Sequence, residues 1–176
     1  PLTAGLVFSI SAFKGYARMI SRLRTWFERL LEAIMIVLMI ALAAEVTIGV
    51  IYRTLGYSLS WYDEIASVLL AWLTYYGAAL AALKRAHIGV PGLMQALPRR
   101  LRLPLVLVAE SLVFGFFLLL AWTGMQVMDM LATDFLISLP DVSSKYTQSV
   151  IPIGAVLFII AQALNLPETL RAARAG

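Results

Sequence analysis

The chain has 176 residues, 61% of them hydrophobic and 14% charged, against roughly 45–50% and 25% in an ordinary soluble domain; that much apolar surface excludes a water-soluble fold and predicts an integral membrane protein. The net charge of +4 does not read as a nucleic-acid footprint, because the basic residues sit in the breaks between apolar runs, where they meet phospholipid headgroups. The absence of cysteine excludes disulfide exchange, thiolate metal sites and cysteine nucleophiles.

Residues 1–29 read as an amphipathic segment lying at the membrane interface. They do not read as a cleavable signal, because the apolar stretch Leu2–Ala12 precedes the basic residues instead of following them. Phe13, Tyr16, Ile20, Leu23, Phe27 and Leu30 recur at three- and four-residue spacing, while Lys14, Arg18 and Arg22 form a separate stripe. A helix packed on a soluble partner is the other reading of that pattern.

A four-helix transmembrane domain is expected over 30–166, with spans at about 30–55, 61–83, 105–130 and 146–166. The first span carries Glu32 near its entry and Glu45 well inside. The short link 56–60 contains glycine and serine, which stop the helix and force the first two spans to be antiparallel neighbours. The second span opens on Trp61, Tyr62, Asp63 and Glu64, runs 19 residues without a charge and closes on Lys84 and Arg85, with His87 just beyond. At about 1.5 Å per residue such a run crosses a ~30 Å hydrocarbon layer. Residues 90–97, bounded by Pro91 and Pro98, predict a short amphipathic segment at the interface, followed by Arg99, Arg100 and Arg102 at headgroup level. The third span is interrupted only by Glu110 and Gln126. The loop after it mixes Asp129, Asp134 and Asp141 with Leu136, Ile137 and Leu139, and is expected to touch the membrane or a partner. The fourth span carries Pro152 in its early turns, where a proline is tolerated, and is expected to end near Asn165-Leu166-Pro167, leaving a basic tail over 167–176.

Twelve of the fourteen Lys/Arg lie before the first span, between the second and third, or after the fourth, leaving Arg53 and Lys145 on the other side. This asymmetry places both termini in the cytoplasm. The fold class expected is therefore an all-α membrane protein with four spans, N-in and C-in.

The chemistry available is sparse. One histidine supplies neither paired haem ligands nor a zinc cluster, and the chain has no GxxxxGK[ST] loop and no GxSxG elbow. No catalytic, cofactor or metal site is expected, and an enzyme is disfavoured. His87 reads as a helix-end cap suited to the dipole, with a proton carrier or headgroup contact as the alternative. Glu110 is expected to pair with Lys84 or Arg85 at the same depth. Glu45 has no cation on its level and is read as protonated, hydrogen-bonded to a neighbouring helix or facing a partner subunit, with ion coupling as the sharper alternative. Asp63 and Glu64 complement the dipole of the second span. Arg53 is expected to reach one of them, giving a salt-bridged hairpin or a docking point for an external protein. Gly49, Gly77 and Gly115 read as close-packing positions.

Arg53, Trp61 with Glu64, Trp72, Gly77 and the sequence His87-Ile88-Gly89-Val90 resemble the small membrane subunit, Q-type or DctQ-like, of tripartite ATP-independent periplasmic (TRAP) transporters. Asp63 stands where that family often has Glu, and Pro91 where Asp is frequent. The resemblance implies a bacterial inner-membrane scaffold subunit in a sodium-coupled secondary transporter. A large elevator-type membrane subunit would hold the sodium and substrate sites, and a periplasmic binding protein would deliver an organic acid such as sialic acid or a C4-dicarboxylate. The rival readings are a small homo-oligomeric channel or exporter lined by Glu45, and a membrane anchor for an enzyme complex.

Overall fold

The computed structural model describes the backbone of residues 2–57, 59–84 and 98–175, and side chains at 19, 21–57, 59–84, 98 and 101–171. Arg85, His87 and the segment expected over 90–97 lie outside the described residues, as do the side chains of Lys14, Arg18, Arg99 and Arg100. The elements are α1 (Leu2–Thr54), α2 (Tyr62–Leu83), α3 (Arg99–Met130), a 3-10 turn (Leu131–Thr133), α4 (Ser144–Gln148) and α5 (Val150–Ala175). Among the described residues, four stretches are long and apolar enough to cross a membrane: Ser21–Thr54, Tyr62–Leu83, Leu101–Thr133 and Ser144–Arg171.

The segment expected to lie at the interface and the first span form one continuous helix. Between Ala17 and Ile48 the chain has neither glycine nor proline, so nothing near residue 29 interrupts the hydrogen-bond ladder at which a surface-lying segment would turn. The helix stops where Gly56 adopts φ 84°. Its N–H bonds to the Arg53 carbonyl at 3.2 Å and that of Tyr57 reaches the Tyr52 carbonyl at 3.0 Å, the paired closure of a Schellman motif. The helix-stopping role expected of the link is thereby met, and α1 and α2 pack as neighbours.

Two boundaries differ from expectation. α3 begins at Arg99 after Pro98, with Pro104 inside the helix, and α5 continues through Pro167 to Ala175. A proline costs a helix one backbone bond and kinks it, but residues 168–175, rich in alanine, arginine, leucine and glutamate, are strong helix formers that carry α5 onward.

The helices pack in the order α1, α2, α5, α3. Among the described residues α2 and α5 each pack extensively on two long helices, whereas α1 packs mainly on α2 and α3 mainly on α5. A glycine marks each of the three interfaces. A Cβ on Gly49 would overlap the ring of Tyr62, one on Gly154 would lie 2.8 Å from Tyr75 Cβ, and one on Gly124 would lie 3.0 Å from Pro152 Cδ. Without a hydrophobic drive between helices in lipid, such close backbone approach supplies the packing contact. A Cβ on Gly77 would meet Met35 at 3.2 Å, but Gly115 faces open space and is not a packing position within this chain. Phe27, Leu31, Ala79, Ala82, Leu83, Phe158 and Ala161 form the main core cluster. Phe117 stacks on Phe158 with ring centroids 3.7 Å apart, joining α3 to it.

Candidate functional site

At the end carrying the α1–α2 link, α2 begins without a side-chain cap from Trp61, which is half-buried. Glu64 in its first turn faces the loop between α3 and α4. One carboxylate oxygen accepts the backbone N–H of Ile137 at 3.1 Å and the other that of Ser138 at 2.9 Å. The Ser138 hydroxyl donates to the Ser60 carbonyl at 2.9 Å. The loop folds on itself through an antiparallel bridge between Phe135 and Ser143, a bond from Leu136 N–H to the Val142 carbonyl at 3.0 Å and one from Ser144 N–H to the Asp134 carbonyl at 2.9 Å. Trp72 anchors α4 by donating its indole N–H to the Thr147 carbonyl at 2.9 Å.

These ties hold Ile137 at 95% exposure, with Phe135 and Tyr146 also exposed. A cleft of about 450 Å³ runs beside them, with Glu64, Ser67, Asp134 and Thr147 in its walls. The loop thus presents an apolar tip held by backbone hydrogen bonds, and the carboxylates Asp63, Asp134 and Asp141 at this end are exposed.

The expected ion pair from Arg53 to Asp63 or Glu64 does not form. Arg53 is exposed and pairs with neither, because the Glu64 carboxylate is taken by two backbone donors. Glu110 likewise does not meet Lys84. It accepts a 2.7 Å hydrogen bond from the Gln162 carboxamide, because α5 stands between α3 and α2. Lys84 instead pairs with Glu32, to which it also donates a hydrogen bond, and with Glu28 at 3.6 Å. The Glu32 hydrogen bond holds the Lys84 ammonium above its ordinary value of 10.5, with attraction to both carboxylates adding to it against desolvation. Glu45 is half-buried, and its Oε1 is buried without a hydrogen-bond partner among the described residues.

The end of the bundle at which Lys84 lies also holds a cross-helix clamp that sequence reasoning missed. Asn165, 3% exposed, donates its amide to the carbonyls of Ala82 at 2.7 Å and Leu83 at 3.1 Å. Arg24 donates to the same Leu83 carbonyl at 3.1 Å and approaches Glu168 at 3.6 Å. The last carbonyls of a helix have no partner within it, so α1 and α5 supply donors to the end of α2. The available signal was the chain's one asparagine, set in a largely apolar span. Among the described residues no group of three or more His, Cys, Asp or Glu is placed to hold a metal ion.

A family model for the DctQ component of tripartite ATP-independent periplasmic transporters matches residues 42–172. The chain belongs to the DctQ family. No curated protein matches it. Membership makes this multi-pass membrane chain the small component of a TRAP transporter, and the matched region contains the Glu64 loop clamp, Trp72, Gly77 and Asn165. Glu64 and Trp72, two of the residues that carried the resemblance, both seat the segment between the last two spans against α2, and Trp61 stands half-buried beside them.

Proposed function

We propose that this DctQ chain is a static scaffold in the bacterial inner membrane, both termini cytoplasmic, bracing the large subunit of a sodium-coupled importer of an organic acid. The periplasmic binding protein delivers that acid and docks in part on the Ile137 loop. The observation that carries the bracing role is the uncovered apolar surface of α3. Leu112, Phe116, Leu119 and Trp122 are exposed on one stripe around Gly115, which has open space before it. A partner helix entering there gains the close approach that Gly154 gives α2. The chain's own interfaces are glycine-closed and apolar, a construction suited to bracing.

Reconstitution tests the reading. The chain alone in liposomes is expected to show no uptake of labelled organic acids, and the chain with its large subunit and binding protein is expected to show sodium-driven uptake. Uptake by the chain alone would overturn it. The buried, unpartnered oxygen of Glu45 favours one rival, a homo-oligomeric channel; transport by this chain alone, abolished in Glu45→Gln, would establish that rival.

A further inference from the structure

α1 divides its side chains between two faces. Phe27, Leu31 and Leu38 are buried toward α2, and Arg24 and Glu28 on that side are engaged with α5 and α2. Arg22, Trp26 and Arg29 recur at four- and three-residue spacing on the opposite face and are exposed. With Ser21 and Thr25 they line a groove of about 280 Å³.

Charge in this groove is unbalanced. The acids nearby, Glu28, Glu32 and Glu168, are occupied by Lys84 and Arg24 on the inner side, and neither Arg22 nor Arg29 pairs with any described residue. The depth is fixed by Arg24, which bonds to the Leu83 carbonyl at the end of α2. The groove therefore lies at the boundary where the apolar run of the second span stops. Following the same face toward the bilayer centre, Ile36, Val37 and Ile40 are exposed, Val37 by 65%. From Arg29 to Ile40 the rise is about 16 Å at 1.5 Å per residue, the depth of one leaflet in a ~30 Å hydrocarbon layer.

We infer that this groove is a binding site for one anionic phospholipid. Arg22 and Arg29, two turns apart, close on its phosphate from both sides, with guanidinium donors matched to phosphate oxygens. Trp26 covers the glycerol region, where an amphipathic ring is stable. The acyl chains lie along Ile36, Val37 and Ile40. A zwitterionic headgroup is disfavoured because its own cation would enter a site holding two positive charges and no acid.

The test uses the chain purified with the partners it retains, exposed to equal amounts of phosphatidylglycerol and phosphatidylcholine and read by native mass spectrometry. Wild type is expected to retain phosphatidylglycerol several-fold over phosphatidylcholine. R22Q/R29Q is expected to lose that preference, and R53Q, at the opposite end of α1, to keep it. Both arginines are exposed and neither pairs with a described residue, so helicity by circular dichroism should be unchanged in the double variant. Brominated phosphatidylglycerol should quench tryptophan emission in wild type and markedly less in W26F. Equal retention of the two lipids, or unchanged phosphatidylglycerol preference in R22Q/R29Q, would overturn the inference. So would displacement of the lipid by inorganic phosphate, which would mark a free-anion site, or loss of a partner protein with the lipid retained, which would mark a protein interface.

Discussion

Asn165 ties α5 to the end of α2, and its replacement by leucine isolates the strength of that tie. Leucine has the same branched heavy-atom skeleton, so no cavity opens and the lost polar contacts dominate. Two hydrogen bonds are lost, at 2.7 Å to Ala82 and 3.1 Å to Leu83. At the ~0.6 kcal/mol average found for interhelical bonds within membranes the loss is about 1 kcal/mol; at the ~1.5 kcal/mol upper range for a soluble protein it is about 3 kcal/mol. The site is 3% exposed, so water does not replace the amide, and a value of about 2 kcal/mol is expected. Asn165→Asp is the sharper variant, because it keeps the shape while an ionised carboxylate has no donor and turns acceptors toward two carbonyls. Unfolding in detergent, followed by far-ultraviolet circular dichroism against a denaturing surfactant, should rank wild type above Leu and Leu above Asp at neutral pH. Equal stability of wild type and Asn165→Leu, or an aspartate variant as stable as wild type, would refute the clamp.

Gly154→Ala places a Cβ 2.8 Å from Tyr75 Cβ, an atom that cannot swing aside. The overpacking cost of ~1–3 kcal/mol exceeds the ~1 kcal/mol gained in helix propensity, so the same unfolding assay should show a loss, whereas Gly115→Ala, with nothing within 4 Å, should show none. Gly115→Leu should leave the chain's own stability intact and reduce co-purification of the large subunit. Ile137→Asp should weaken binding of the periplasmic protein to the assembled transporter, measured by surface plasmon resonance, without changing assembly. Glu64→Gln should weaken the same binding by freeing the loop, detected as faster amide hydrogen exchange at Ile137 and Ser138. The raised Lys84 value implies stability that is full below 10.5 and falls as pH rises through the higher folded-state value. A thermal-shift series should show this alkaline loss in wild type and its absence in Lys84→Met.

How much of this was legible depended on whether the cause lay within one segment. The presence of four long apolar helices, the stop at Gly56 and the proline tolerated at 152 are local consequences of apolar length, glycine freedom and missing donors, and the structure has all three, with the helix ends at Pro98 and Pro167 displaced from where they were expected. The neighbour order was not legible. α3 and α5 are apolar nearly all round, so periodicity does not say which side meets which helix. That gap misdirected Glu110 toward Lys84, since pairing by depth presumes adjacency and α5 intervenes. Glu64 stood out in the sequence, but its partners are backbone N–H groups more than seventy residues away, and backbone donors leave no mark in a sequence. Asn165 with Pro167 reads as a helix end; the structure uses the asparagine as a donor and continues through the proline.

The order α1, α2, α5, α3 also explains why the polar ties lie where they do. The last span must insert between α2 and α3, and Gly154 and Gly124 admit it on either side. Glycine contacts fix separation better than they fix sliding along the helix axis, because apolar surfaces in lipid have no preferred depth relative to one another. Directional bonds at both ends remove that freedom: Trp72 to Thr147 at one end, and Asn165 and Arg24 on the carbonyls closing α2 at the other. From Thr147 to Asn165 is about 27 Å at 1.5 Å per residue, nearly the whole hydrocarbon thickness. A pair of helices pinned at both faces of the bilayer resists shear. That is the mechanical property the proposed scaffold role requires, and among the described residues it leaves the outer faces of α1 and α3 uncovered.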